Sequence, residues 1–158
     1  MPSEAGGKRA PAKKGGGRRR SREFALQGLY QWQLAGTDPV MISTQLAESE
    51  GYAEADEDYL RDLLHGTIRD AQALEQAIAP ALDRAFAELS PVERGVLMLA
   101  AYEMTKHPEV PYRVVINEAV ELAKSFGGTD GHKFVNGVLD KAAGDLRPTE
   151  VQAARSGR

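Results

Sequence analysis

Four arginines, Arg18, Arg19, Arg20 and Arg22, fall within five positions, and of all the residues here they are best suited to meet a polyanion. Guanidinium forks match phosphate oxygens and also stack on bases. Binding a single strand further needs aromatic platforms. Tyr30, Tyr112, Phe126 and Phe134 are the candidates, and each has core packing as its alternative. Phe134 stands apart. Val135, Val138, Leu139 and Ala142 mark a buried stripe, and Phe134 lies to its side, next to His132 and Lys133. Just upstream, Gly127-Gly128-Thr129-Asp130-Gly131 reads first as a turn between two helices. Its amides could hold a phosphate as a secondary use, because His132 and Lys133 fall in the first turn of the next helix.

Other chemistries find little support. His65, His107 and His132 are not paired at metal-ligand spacing, and no HExxH occurs. Glu118 and Glu121 lie three apart, but Lys124 follows at the same interval, the pattern of a solvated charged face. No phosphate loop of the GxxxxGK[ST] type is present, nor a GxGxxG after a strand. Ser125 closes a helix without a nucleophile-elbow motif, and its nearness in sequence to Asp130 and His132 says nothing of geometry. The chain has no cysteine, which excludes disulfides, thiol nucleophiles, zinc fingers and iron–sulfur clusters and fits a reducing cytoplasm. These residues leave an enzyme possible but unsupported, and no metal and no small-molecule cofactor are expected.

The elements that must position these residues read as helices. Ala and Leu number 38 and Val and Ile only 14, a bias toward helix. The first helix runs from about Arg19 to Ala35, with Ala25, Leu29 and Trp32 on one face and Gly36 beyond its end. A second spans Pro39 to about Glu50, with Met41, Ile42 and Leu46 inward. A third spans Asp56 to about Arg69 on Tyr59, Leu60, Leu63, Leu64 and Ile68. A weaker fourth covers roughly Ala71 to Ala87, broken or kinked at Pro80. Ser90-Pro91-Val92-Glu93 is a strong start signal: a cap, a proline at the first helical position, and a capping box. That helix runs to about His107. Another follows from Pro111 to Phe126, and a last from about Asp130 to Ala143. The sum is seven helices, all-α, with short connections.

In a chain of 158 residues this leaves room for one ordinary domain. Residues 1–17 hold no large apolar side chain and read as a disordered basic extension, and residues 148–158 as a flexible tail. No apolar run is long enough to span a membrane. The net charge of −3 hides a split. Residues 1–22 carry eight basic side chains against one acid, whereas 23–105 carry four against fifteen. A basic arm on an acidic body suggests two different partners.

Several segments together resemble one family. RRRSREFALQGLYQWQL (18–34), SPVERGVLMLAAYEM (90–104) and VPYRVVINEAVELAKSFGGTDGHKFVNGVLDKAA (110–143) are similar to the NusB family of bacterial transcription antitermination factors. The match covers roughly 18–147. The resemblance implies seven helices in two small subdomains and a role without catalysis. It implies pairing with NusE, a small-subunit ribosomal protein, binding to single-stranded boxA RNA, and help in loading antitermination factors on RNA polymerase, notably over ribosomal RNA operons. It puts Asp130 and its neighbours toward RNA and matches Glu93 to a position facing NusE. Combining motif and chemistry, the expected RNA contacts are Arg18, Arg19, Arg20, Arg22, Tyr30, Lys124, Phe126, Asp130, His132, Lys133 and Phe134, and the expected partner contact is Glu93. Glu93 also has its cap to make, and Asp130 either caps its helix or acts as a negative brake on RNA. A NusB-like domain also precedes a ribosomal RNA cytosine methyltransferase, but that enzyme's catalytic cysteine is missing here. A helical adaptor whose arm serves only as a solubility or membrane-surface tag is the alternative.

Overall fold

A computed structural model describes residues 16–128 and 130–157. Residues 1–15, most of the expected disordered extension, lie outside the described residues, as do Thr129 and Arg158. Eight α-helices form among the described residues: α1 (Gly16–Ala35), α2 (Pro39–Leu46), α3 (Glu57–Arg69), α4 (Ala71–Ile78), α5 (Pro91–Lys106), α6 (Tyr112–Phe126), α7 (Gly131–Leu146) and α8 (Pro148–Ser156). No strand forms among them. They divide into two compact units, one ending at Ile68 and the other beginning at Arg69.

In the first unit α1 supplies Phe24, Ala25, Leu26 and Leu29 to a core shared with Ile42, Leu63 and Leu64. Each fully buried leucine contributes on the order of 1.5–3 kcal/mol. Gly28 lets two helices meet: a Cβ there would stand 2.8 Å from Leu64 Cδ1 and 3.0 Å from Ile42 Cγ2. The start of α1 is tied down as well. Gly17 O accepts from the Asp56 amide at 3.1 Å, and Ser21 Oγ donates to Asp56 O at 2.7 Å. Gly16 and Gly17 are therefore helical, and the expected extension is shorter at its inner end. Helix α2 ends at Leu46 rather than near Glu50, and Met41, expected inward, is 55% exposed.

The second unit is built around α5. Its capping box forms as expected: Glu93 N donates to Ser90 Oγ, and Ser90 N donates to Glu93 Oε1, both at 3.1 Å. Every residue from Gly95 to Met104 is buried, so this helix is covered on all sides by α4, α6 and α7. Pro80 breaks the expected fourth helix as anticipated; α4 stops at Ile78, and Ala79–Ala81 continue as a 3-10 turn.

The tail departs from expectation. Residues 148–156, read as flexible, form α8, which brings the helix count to eight. Polarity concealed the reason: Val151 is buried, and Arg147 is only 8% exposed. The Arg147 guanidinium donates to the carbonyls of Met104, His107 and Val110 and pairs with Glu150. Glu150 in turn accepts from the Tyr112 amide at 2.8 Å. These bonds fasten α8 to the turn between α5 and α6.

Candidate nucleic-acid interface

Helical geometry distributes the four arginines around the first turns of α1, so their side chains meet different surroundings. Arg18 lies over the Tyr59 ring, 4.1 Å from its centroid. Arg20 pairs with Glu23 at 2.8 Å and with Glu54 at 3.0 Å. The hydrogen bond to Glu54 is the main reason its guanidinium holds its proton more tightly than usual. Arg22 is 6% exposed, with its guanidinium 5.8 Å from the Tyr59 centroid. This corrects the expectation for Arg22, whose long side chain packs inside the first unit instead of facing a strand. Arg19 is exposed at the start of α1. Tyr30 is 45% exposed near the other end, and Leu34 is exposed one turn further on.

In the second unit the expected residues gather where α6 ends and α7 begins. The Gly127 amide donates to Ala123 O at 2.8 Å, and a Cβ at Gly127 would come within 2.7 Å of that same oxygen. No larger residue makes this close approach. Phe126 and Lys124 are exposed on the last turn of α6, and Lys124 Nζ is 3.6 Å from Glu121 Oε2. Asp130 makes no side-chain cap bond to α7, so the capping role expected as one alternative does not occur. Its Oδ1 instead faces Lys133 Nζ at 3.8 Å. His132 and Phe134 are half-buried. Tyr112 is buried, which removes it as a platform.

Glu93 reaches the same neighbourhood. One carboxylate oxygen closes the capping box, while the other is 3.8 Å from where a Cβ of Gly131 would stand. Sequence reasoning missed Arg84. Its guanidinium lies over the Phe134 ring, 4.7 Å from the centroid, and its Nε donates to Asp83 Oδ1 at 2.9 Å. That hydrogen bond is the main cause that lowers the Asp83 carboxyl below its ordinary value and raises Arg84. Arg84 sits in a segment read as weak helix, where nothing in the local pattern brings it to Phe134.

Among the described residues, no group of three or more His, Asp or Glu stands close enough to hold a metal ion, and no helix is long and apolar enough to cross a membrane. The described residues form an all-α protein, with cations and half-exposed aromatics beside a glycine-rich turn in its second unit. The NusB family model matches residues 19–144. A transcription antitermination protein NusB from Paraburkholderia phytofirmans is 60% identical over 138 residues, which span 87% of this chain and 96% of that one. Among solved structures, T. maritima NusB superposes with a TM-score of 0.69 at 32% identity, covering 80% of this chain and 89% of that one. A structure described as antitermination factors NusB and NusE in complex with dsRNA gives 0.69 at 25% identity, covering 78% and 93%. The chain belongs to the NusB family and is a transcription antitermination factor, not an enzyme.

Proposed function

We propose that the chain pairs with a NusE-type small-subunit ribosomal protein, binds single-stranded boxA-type RNA in the cytoplasm, and helps RNA polymerase read through terminators, notably in ribosomal RNA operons. One observation carries this reading: Glu93, the expected partner contact, stands beside Gly131, at the head of the helix that bears His132, Lys133 and Phe134. A protein partner at Glu93 would meet RNA at α7 on adjoining ground, so each would favour the other. The NusB–NusE neighbour supports an RNA-bound pair, and its RNA is described as double-stranded. Among the expected RNA contacts, Arg19, Tyr30, Lys124, Phe126, Asp130 and Lys133 are exposed, Arg18, Arg20, His132 and Phe134 are half-buried, and Arg22 is buried.

The test is a titration of fluorescent boxA-type RNA, with and without the NusE-type protein, at two salt concentrations. A duplex and a scrambled single strand serve as competitors. The expected result is tighter binding to the boxA strand when the partner is present, with affinity falling as salt rises. Preference for the duplex would overturn the single-strand reading. Equal affinity with and without the partner would overturn the coupling. Weak binding indifferent to sequence would leave the chain as a helical adaptor.

A further inference from the structure

The contact between Arg84 and Phe134 has no part in the expectations drawn from sequence or family. The guanidinium carbon is 4.7 Å from the ring centroid. A base cannot enter that gap, because van der Waals contact takes about 3.5–4 Å on each side. Any base that approaches the covered face of Phe134 therefore meets Arg84 first. The Arg84 side chain keeps 46% of its exposure while lying against the ring, and Asp83 holds its Nε from the edge. A planar cation already held against an aromatic ring loses little freedom when a third flat group stacks on it.

We infer that Arg84 is a further RNA-contacting residue, forming with Phe134 a layered platform on which an unpaired base stacks against the guanidinium, with the ring behind it. The inference rests on the proposed RNA-binding role of the first turns of α7. Arginine planes and aromatic rings both serve as stacking surfaces for single-stranded RNA. The guanidinium adds what the ring lacks: a positive charge close to the strand's phosphates.

The test uses the full chain and a boxA-type single strand in which 2-aminopurine replaces one base at a time, with thermal stability measured on every variant. Arg84→Ala removes plane and charge, Arg84→Lys keeps only the charge, and Phe134→Leu keeps an apolar side chain without the ring. The expected result is a loss of affinity of about fivefold or more in both Arg84 variants. Both should also relieve fluorescence quenching at one RNA position, the position that Phe134→Leu affects. Wild-type affinity in Arg84→Lys would reduce Arg84 to a phosphate cation and overturn the platform. Tighter binding by Arg84→Ala would make it a cover over Phe134, again overturning it. If the Arg84 variants bind normally while Phe134→Leu does not, the inference falls and the RNA role of α7 stands. If all three bind normally, that role falls as well.

Discussion

Arg19 and Arg22 stand three residues apart and carry the same charge, yet one is exposed and the other buried. Arg19→Ala should weaken RNA binding and reduce the salt slope by about 0.7, the loss of one single-strand phosphate contact, at a smaller cost in melting temperature than Arg22→Ala. Arg22→Ala should lower the melting temperature of the first unit and affect RNA only through that loss, because it empties a buried place beside Tyr59. Paired thermal melts and salt titrations separate the two. Asp130→Asn should tighten RNA binding with little change in stability, since the carboxylate makes no cap and its removal frees Lys133 from an opposing charge. Weaker RNA binding by that variant would end the idea of Asp130 as a brake. The Arg84 guanidinium lowers the Asp83 carboxyl from the ordinary 3.8 in the folded protein, so their attraction stabilises the fold above that value and is lost as pH falls through the lowered one. An NMR titration of the Asp83 carboxyl carbon should find the midpoint below 3.8, moving upward in Arg84→Ala.

At the scale of elements, the Ser90 capping box and the Pro80 break were legible because local chemistry settles them within one turn. Helix α8 was not legible. Its hold depends on Arg147 reaching carbonyls some forty positions back in sequence, and only a fold reveals such partners. The same limit separated the arginines. Their spacing advertised one cationic patch, while the 3.6-residue turn sent Arg22 inward and Arg20 toward Glu54. Around the candidate site in the second unit, the positions of Lys133 and Phe134 beside the buried stripe could be read from sequence, and the approach of Arg84 to the Phe134 ring could not. Glu150→Ala tests the clasp on α8. Removing the partner of nearly buried Arg147 and the acceptor of the Tyr112 amide should cost about 1–3 kcal/mol, measured by denaturant unfolding. Glu93→Gln, in contrast, keeps an oxygen for the cap. It should leave stability within about 1 kcal/mol while weakening NusE-type pairing. Unaltered pairing would leave Glu93 a capping residue alone.

For the molecule as a whole, chain order and folding order are linked through Arg147. The first unit is compact and ends at Ile68. On the ribosome it can therefore close while the second unit is still being made. The second unit has no such freedom. The carbonyls of Met104, His107 and Val110 are synthesised early in it but gain their buried donor only when Arg147 emerges, and Val151 seals its place later still. Translation that stops at residue 144, where the family match ends, releases a polypeptide with every residue of that match and an unfinished turn between α5 and α6. The residues from Arg147 to Val151 are thus the last-made part of a joint whose other half was laid down some forty positions earlier.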